Sequence, residues 1–502
     1  MTRVELTDPQ NLLVNANGSV FVEACPGAGK TKALVARFVR RIGEETRKGI
    51  ALISFANAAI DEVTSRCSDR PESLNAPHFV GTFDAFIKNG PALCWRAEQR
   101  RTDLIKGGIL SSSASRALAA QWLTDPKDRE LVGTLLAHRF AEIIVDEAQD
   151  CGADELAILE LLRESGVALV LVADLDQSIY EFRRSLPNDV RRFSDTLPRG
   201  QRLDGNFRSS PAICRITASV RGRQQVDRAL GPYAGSEVPI HLVPYTDLDK
   251  IRDQAVKVAE RYGLAVSDIT FLAHRGRHAR QAAGASASFQ TEVGENKVLR
   301  IAAAGRVLAD PTADPRARLR ARNDLEQILL ALVGHKVDLR SCDRACAELG
   351  ITPAWLTETA VRMALALNTG TPSAAVFTAR LRAFLKSLKW PKEITPAQLR
   401  SPTSVQWQEL LAAGNDSLSW STIHQAKGRQ FPAVGLVIPK SLQRDDADLT
   451  ALDYWEQGGD AEAKRVLYVG VSRAEQLLML LVHKDHVEKV AKILVRDEVP
   501  YE

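Results

Sequence analysis

The octapeptide Ala-Cys-Pro-Gly-Ala-Gly-Lys-Thr at 24–31 is the feature that most restricts how this chain can fold. An apolar, β-prone run at 19–23 precedes it, and a stretch with helical periodicity at 31–41 follows it. A glycine-rich loop between a strand and a helix is typical of a phosphate-binding loop, so the sequence predicts a βαβ unit completed by the apolar run at 50–55. The alternative is a chance glycine-rich turn, because the common pattern begins with glycine rather than alanine. The flanking pattern favours the phosphate loop.

Each part of the loop has a separate chemical role. Gly27 and Gly29 lack a Cβ, so backbone N–H groups there can approach phosphate oxygens. Lys30 would supply a cation for the β- and γ-phosphates, and the Thr31 hydroxyl would be a ligand for Mg²⁺. The nucleotide-binding residues predicted from this segment are Ala24, Cys25, Pro26, Gly27, Ala28, Gly29, Lys30 and Thr31.

Two adjacent carboxylates, Asp146 and Glu147, end the apolar run at 142–145. In phosphoryl transfer the first of two such carboxylates holds the metal ion, and its neighbour can orient the attacking water. Acidic residues that end a strand are also common as plain surface caps. Their occurrence together with Lys30 and Thr31 favours the metal role for Asp146 and predicts nucleoside triphosphate hydrolysis with Mg²⁺.

Apolar runs typical of buried parallel strands fall into two sets. The first set lies at 19–23, 50–55, 142–145 and 167–173, and the second at 269–273, 433–438 and 477–482. We therefore predict an α/β fold with two parallel-sheet domains and mainly helical insertions. The predicted first domain is 1–200 with a small insertion at about 88–139, the second is 201–280 with 415–502, and a helical accessory insertion occupies 281–414.

Length and composition restrict the class of protein less sharply. A chain of 502 residues exceeds what one core usually organises, and its net charge of +4 neither supports nor excludes nucleic acid as a partner. The seven cysteines are odd in number and mostly far apart, and one helix face explains Cys342 and Cys346 better than a zinc site does. The scattered cysteines fit a reducing cytoplasm, where we expect the protein, and no export signal or apolar run of membrane length is indicated.

The run Asp-Glu-Ala-Gln-Asp at 146–150 resembles the Walker B motif of superfamily 1 helicases, specifically the UvrD, PcrA and Rep group. Other segments resemble the remaining motifs of this family, in the family's order. They lie at 6–10, 54–57, 81–86, 173–183, 206–209, 422–428 and 464–474. The resemblance implies two RecA-like domains that bind ATP between them.

The resemblance also implies roles for five residues around the nucleotide. Gln10 would read the adenine edge and Phe207 would pack on the adenine ring. Gln177 would lie near the γ-phosphate, which Arg208 would touch. Arg473 would be the arginine finger. Together with Lys30 and Glu147, the predicted catalytic residues are Gln177, Arg208 and Arg473.

Four of the segments imply a path for single-stranded DNA. The residues assigned to this path are Phe55, Asn57, Thr82, Phe83, Tyr180, Phe182 and His424. Aromatic side chains such as Phe83, Tyr180 and Phe182 can stack bases without sequence preference, at about 1–3 kcal/mol per base. Taken alone, each aromatic is equally well explained as a core residue. The resemblance favours base stacking most for Phe182.

Two departures from the family pattern affect single contacts. Asp84 stands where a histidine is usual, which places a negative charge close to the expected DNA path. Gln430 replaces a glutamate. A glutamine can still hydrogen-bond a ribose hydroxyl, but without the charge the nucleotide selectivity stays open.

The resemblance implies an ATP-dependent translocase or helicase that moves 3′ to 5′ on single-stranded DNA, in DNA repair or anti-phage defence. The compact size also resembles the UvrD-like subunit of the Gabija anti-phage system, which works with an OLD-family nuclease partner. A second hypothesis is a DNA-sensing regulatory ATPase that controls a partner nuclease without processive unwinding. A third, an ATPase unrelated to nucleic acid, is disfavoured by the segments of the DNA path.

Overall fold

The computed structural model falls into two compact units, Met1–Ala282 with Ser419–Glu502, and Ala283–Leu418. The residues that the structure describes are 6–44, 47–55, 60, 63–64, 67, 74–89, 123–179, 187–284, 296–309, 315–333, 342–367, 373–388, 399–412, 418–445 and 448–502. The first unit contains two five-stranded parallel sheets and a small two-stranded one, and the second consists, in its described part, of helices.

The first sheet has five parallel strands in the order β1-β5-β4-β2-β3. The strands are β1 Val20–Glu23, β2 Gly49–Ser54, β3 Phe79–Thr82, β4 Phe140–Val145 and β5 Ala168–Ala173. Its helices are Asp8–Asn15, Lys30–Glu44, Phe83–Asn89, Pro126–Arg139, Ala153–Glu164 and Pro187–Asp195. The carboxyl ends of β1, β4 and β5 lead into the segments with the predicted chemistry.

Both faces of the first sheet are buried, which explains why its inner strands are apolar without alternation. In β4, Ile143 packs into one core cluster and Ile144 into the cluster on the opposite face. In β5, Leu169 packs into the same cluster as Ile143, and Val170 packs into the same cluster as Ile144. The predicted strands at these positions are confirmed.

The second sheet also has five parallel strands, in the order β10-β9-β11-β12-β8. After the two-residue strands β6 Gly205–Asn206 and β7 Arg228–Ala229, its strands are β8 His241–Tyr245, β9 Ile269–Ala273, β10 Ser419–Thr422, β11 Phe431–Ile438 and β12 Ala474–His483. Its helices are Pro211–Arg221, Ile251–Arg261, Gly276–Ala282, Ile423–Ala426, Ala451–Gln457, Glu462–Val471 and Lys484–Arg496. The predicted α/β class with two parallel sheets is confirmed.

The helical unit has a hydrophobic core of its own. Its described helices are Lys297–Ala309, Pro315–Leu332, Cys342–Leu349, Pro353–Leu367, Ala374–Ser387 and Ser404–Ala412. Cys346 is fully buried in this core, which agrees with its interpretation as a packing residue on one helix face. The predicted division between the two sheet domains near residue 200 stays a prediction. Among the described helices, none is both long enough and apolar enough to cross a membrane.

Candidate nucleotide-binding site and DNA track

The loop between β1 and the helix Lys30–Glu44 has the backbone of a phosphate loop. Gly27 and Gly29 have φ values of +71° and +66°, a region that favours glycine. A Cβ on Gly27 would lie 2.5 Å from Oδ1 of Asn206 and 2.7 Å from Cβ of Arg208. Gly27 is therefore required for two reasons, its backbone conformation and the close approach of the 206–208 segment.

The two residues predicted to contact adenine converge at Gly29. A Cβ there would lie 2.9 Å from Nε2 of Gln10 and 3.8 Å from Cδ2 of Phe207. The Gln10 side chain donates to the Ala28 carbonyl at 2.9 Å and is 1% exposed. The backbone N–H of Phe207 donates to the Gly27 carbonyl at 2.9 Å. Gln10 and Phe207 thus lie beside the loop, although neither belongs to the βαβ unit that contains it.

The predicted phosphate and metal residues lie in direct contact across the carboxyl edge of the first sheet. The Lys30 ammonium is 2.9 Å from Oε2 of Glu147. The Thr31 hydroxyl donates to Oδ2 of Asp146 at 3.1 Å. Mg²⁺ usually takes one or two protein oxygens and completes its shell with water and phosphate, so the Thr31 and Asp146 oxygens fit this ion.

The charges of this cluster shift one another. Burial, followed by the Glu147 charge, raises the pKa of Asp146 to about 6. Burial alone would raise the pKa of Glu147, but Lys30 and then Lys427 outweigh it and lower that pKa to about 2. Glu147 therefore keeps its negative charge to a lower pH than Asp146 does.

The backbone of Glu147 is left-handed, with φ 54° and ψ 43°. This conformation costs a non-glycine residue on the order of 1 kcal/mol and is concentrated at functional sites. The Asp146 carboxylate accepts the Glu147 N–H at 2.9 Å, and the Gln149 side chain donates to the Glu147 carboxylate at 2.5 Å. These contacts hold the strained residue in place.

The two predicted arginines come from the second sheet domain and lie close together. Arg208 donates from Nε to Oε1 of Gln430 at 3.0 Å and from Nη1 to the Ser472 carbonyl at 3.1 Å. Arg473 donates from Nη2 to Oε1 of Gln177 at 3.0 Å. Burial and then the Arg208 charge lower the pKa of Arg473 to about 9. A polyphosphate bound here would relieve this repulsion.

The predicted DNA residues differ in their surroundings. Phe83 is only 2% exposed and lies in the hydrophobic core, with its ring stacked on Phe55 at a centroid distance of 5.8 Å. This burial contradicts a base-stacking role for Phe83, because neither face of its ring is open. The Thr82 hydroxyl accepts the Ala85 N–H at 3.1 Å and so caps the helix Phe83–Asn89. Three of the predicted residues, Asn57, Tyr180 and Phe182, lie outside the described residues.

The sequence matches two families of protein domains. Residues 6–89 and 113–198 match the UvrD/REP helicase N-terminal domain. Residues 397–485 match the UvrD-like helicase C-terminal domain. The matched residues amount to just over half of the chain, which belongs to the UvrD-like helicase family.

Curated relatives of this UvrD-like chain match it over part of its length. An ATP-dependent helicase/nuclease subunit of Lysinibacillus sphaericus (strain C3-41) is 32% identical over 194 residues, which is 33% of this chain and 16% of that protein. The protein of the same name from Exiguobacterium sibiricum is 36% identical over 154 residues, 29% of this chain and 12% of that protein. DNA helicase II of Escherichia coli (strain K12) is 28% identical over 152 residues, 29% of this chain and 20% of that protein. The matched regions thus span a fifth or less of these relatives.

The structure of the UvrD-like chain adds residues that the sequence did not single out. Asp174 is fully buried and accepts hydrogen bonds from the Gln177 amide at 2.8 Å and from the Tyr468 hydroxyl at 2.9 Å. The Arg221 guanidinium lies 3.4 Å from the other Asp174 oxygen. Asp174 follows an apolar strand as Asp146 does, so its position at the carboxyl edge was a usable signal. Its partners Tyr468 and Arg221 could not be recognised from spacing.

A second contact between the sheet domains was also missed. Lys427 lies 2.6 and 2.8 Å from the two carboxylate oxygens of Asp150. Both side chains are about nine-tenths buried. The pair joins the end of the 146–150 segment to the 422–428 segment, so the acidic segment is held from both domains.

Proposed function

We propose that this UvrD-like chain is an ATP-dependent translocase or helicase on single-stranded DNA, which moves 3′ to 5′ and hydrolyses ATP between its two sheet domains. The observation that carries the proposal is the 3.0 Å hydrogen bond from Arg473 to Gln177. It joins the side that contains Lys30 and Glu147 to the side that contains Arg208. Catalysis by two domains needs such a contact near the γ-phosphate.

The proposed chemistry assigns one task to each side chain. Lys30 and Arg208 neutralise the phosphate oxygens, and Glu147 orients the attacking water. Arg473 stabilises the charge that develops as the γ-phosphoryl group is transferred. Thr31 and Asp146 would hold Mg²⁺, which would supply further charge neutralisation.

The same contacts support a coupling of hydrolysis to movement. With nucleotide bound, the γ-phosphate attracts both Arg208 and Arg473. Its loss leaves two guanidinium groups whose mutual repulsion opposes closure. Opening and closing of the two domains would then advance the chain along DNA. Among the predicted DNA-contacting residues that the structure describes, His424 comes from the second sheet domain. It lies on the helix Ile423–Ala426 and would contact the single-stranded DNA.

The substitution Lys30→Ala tests the ATPase part of the proposal. We expect turnover stimulated by single-stranded DNA to fall at least about a hundredfold, because the cation on the phosphates is lost. DNA binding should persist. Lys492→Ala is the matched control, since Lys492 pairs with Glu488 on the surface helix Lys484–Arg496.

Unwinding of duplexes with 3′ or 5′ single-stranded tails tests the direction. The proposal expects unwinding of the 3′-tailed duplex only, and expects ATP turnover to rise with single-stranded DNA. The proposal is wrong if the wild-type protein, alone or with a nuclease partner, neither unwinds the 3′-tailed duplex nor hydrolyses ATP faster with single-stranded DNA.

A second candidate function is a DNA-sensing ATPase that controls a partner nuclease. It is favoured by the name of the relatives from Lysinibacillus and Exiguobacterium, which describes a helicase/nuclease subunit. An OLD-family nuclease in an anti-phage system, or a repair nuclease, is the partner that this candidate requires. Stable co-purification with a nuclease, and ATP turnover without unwinding, would favour it. We also propose a cytoplasmic location, which the scattered cysteines favour.

A further inference from the structure

The Arg221 guanidinium contacts carboxylates from separate segments of the chain. Arg221 ends the helix Pro211–Arg221, and its side chain is 1% exposed. Its Nε donates to Oδ2 of Asp176 at 2.7 Å. Its Nη2 donates to Oε1 of Glu23 at 3.0 Å and to Oδ1 of Asp174 at 3.4 Å. A planar guanidinium can serve several carboxylates in this way, whereas the ammonium of a lysine is a single point charge.

Two of these carboxylates belong to segments that build the nucleotide site. Glu23 is the last residue of β1 and directly precedes the phosphate loop at 24–31. Asp174 directly follows β5, and its other oxygen, Oδ2, accepts from the Gln177 amide nitrogen at 2.8 Å. Arg221 therefore connects the start of the phosphate loop to the turn that contains Gln177.

The contact with Asp174 decides which end of the Gln177 amide faces Arg473. Because the amide nitrogen donates to Asp174, the amide oxygen is left to accept from Nη2 of Arg473 at 3.0 Å. A reversed amide would direct its N–H groups at the guanidinium, and two donors cannot form a hydrogen bond with each other. The Asp174 carboxylate therefore has to stay in place for Gln177 to contact Arg473.

Arg221 supplies the positive charge that a buried carboxylate in this place requires. Asp174 is fully buried, and a carboxylate without water is unfavourable unless a cation pairs with it. The Tyr468 hydroxyl donates to Asp174 at 2.9 Å but is neutral, and the Arg221 guanidinium lies 5.2 Å from the centre of the Tyr468 ring. Burial alone would lower the pKa of Arg221, but Tyr468 and then Asp174 outweigh burial and raise it. Arg221 is thus a permanent cation.

We propose that Arg221 is a positioning residue for ATP hydrolysis, which acts through Asp174 on the Gln177 amide. Its effect reaches the γ-phosphate through the contact of Gln177 with Arg473. Because Arg221 also binds Glu23, it keeps the Gln177 turn at a fixed place relative to the phosphate loop. This inference rests on the proposed function, since it names a further residue of the same hydrolysis site.

Arg223 offers a matched control in the same group of charges. Among the described residues it pairs with Glu23 at 2.5 Å and with Asp176 at 3.6 Å, and not with Asp174. Its side chain is 36% exposed. Arg223→Met therefore removes a cation from two of the same carboxylates and leaves the contact between Arg221 and Asp174 in place.

The test measures the dissociation constant of a fluorescent ADP with and without aluminium fluoride, in the presence of Mg²⁺ and an oligothymidylate. ADP with aluminium fluoride imitates the γ-phosphoryl group during its transfer, whereas ADP alone has no group at that place. The ratio of the two dissociation constants reports on contacts to the γ-phosphate. A general weakening of the nucleotide site changes both constants and leaves the ratio unchanged.

We expect Arg221→Met to weaken binding of ADP with aluminium fluoride at least about tenfold and to change ADP affinity by less than about twofold. DNA-stimulated kcat should fall by a similar factor, with KM for ATP little changed. Arg221→Lys keeps the charge but not the planar contacts, so a selective loss of about threefold should remain. Arg223→Met should keep the wild-type ratio.

A double-mutant cycle tests whether Arg221 acts through Gln177. In a protein that already carries Gln177→Ala, the further change Arg221→Met should alter the ratio by less than about twofold, because the amide that Arg221 positions is absent. Binding is measured here, so the cycle does not depend on the remaining turnover of the Gln177 variant. An equally large effect of Arg221→Met with and without Gln177 would overturn the inference.

The inference is also wrong if the folded Arg221 variants keep the wild-type ratio, or if they lose affinity for ADP alone as much as for ADP with aluminium fluoride. If Arg221→Met does not fold, Arg221→Lys carries the same comparison. In each of these cases, stimulation of wild-type ATP turnover by single-stranded DNA leaves the proposed function intact. Without that stimulation in the wild-type protein, the proposed function fails, and this inference fails with it.

Discussion

Single atoms decide what the nucleotide site tolerates. At Gly27 a methyl group would collide with Asn206 and Arg208, whereas at Gly18, which has a similar φ of +70°, nothing lies within 4 Å. The two glycines thus share a backbone requirement, but only Gly27 has a packing requirement. Comparing substitutions at Gly18 and Gly27 therefore distinguishes the effect of backbone strain, which both share, from the steric effect of the 206–208 segment, which only Gly27 has.

We expect Gly27→Ala to lower ATP affinity at least about tenfold, because the 206–208 segment must move away from the loop. Gly18→Ala should cost only about 1 kcal/mol of stability, from its left-handed backbone, and leave ATP affinity unchanged. Titration with a fluorescent ATP analogue and thermal unfolding measure the two effects. Equal ATP affinity in the two variants would contradict the steric argument.

The Tyr468 hydroxyl makes a second residue-scale contact that can be tested. Tyr468→Phe removes its 2.9 Å hydrogen bond to Asp174, which orients Gln177. We expect DNA-stimulated kcat to fall roughly three- to tenfold, for a bond of about 1 kcal/mol or more, with KM for ATP little changed. Tyr454→Phe is the matched control, because Tyr454 also donates to a carboxylate, Asp445, but in an exposed position. Full turnover in Tyr468→Phe would exclude this positioning role.

At the scale of elements, the buried strands were predictable, and of the four edge strands only β1, which is largely buried, could be predicted. The inner strands of both sheets are continuous apolar runs because both of their faces are covered. The edge strands β3, β8 and β10 are short and partly exposed, with polar residues such as those of Ser419–Thr422. Since an exposed edge does not require apolar side chains, no hydrophobic pattern marks these strands.

A buried ion pair joins two elements of the first domain. Arg37, on the helix Lys30–Glu44, binds both carboxylate oxygens of Glu142 in β4 at 2.7 and 2.8 Å, and both side chains are at most 1% exposed. Arg37 also donates to the Leu13 carbonyl at 2.7 Å, which attaches the helix Asp8–Asn15 with its Gln10. The pair therefore positions one border of the nucleotide site from a distance.

Arg37→Met should lower the free energy of unfolding by about 3–5 kcal/mol, because it leaves the Glu142 carboxylate buried without its main partner. Lys492→Met, which removes a pair whose side chains are 69% and 83% exposed, should leave the free energy of unfolding nearly unchanged. Urea denaturation followed by circular dichroism compares the two variants. Similar losses in both would show that burial does not set the cost of this pair.

At the scale of the whole molecule, the helical unit interrupts the second sheet at a single place. Strand β9 ends at Ala273 before the unit, and its neighbour β10 begins at Ser419 after it. The chain enters and leaves the unit at adjacent points, since the Leu418 N–H donates to the Ala283 carbonyl at 3.4 Å. An insertion with adjacent ends and its own core does not disturb the sheet that it interrupts.

Because each unit has its own core, we expect two transitions in differential scanning calorimetry. Mg²⁺ with a non-hydrolysable ATP analogue should raise the transition temperature of the sheet-containing unit only. At a hundredfold excess over Kd, binding adds about 2.7 kcal/mol to the free energy of unfolding of that unit. Lys30→Ala should abolish this shift. A single transition, or an equal shift of two, would contradict the independence of the units.

The phosphate loop, the carboxylates Asp146 and Glu147 and the inner strands could be predicted from the sequence. Each of these depends on residues that are close together in the chain, through backbone preference, hydrophobic pattern or motif spacing. The tertiary structure alone brings Gln177 to Arg473, 296 residues away, and Lys427 to Asp150. It also decided that Phe83 is a core residue. Side-chain contacts between distant segments depend on how the two sheets pack, and local patterns do not encode that packing.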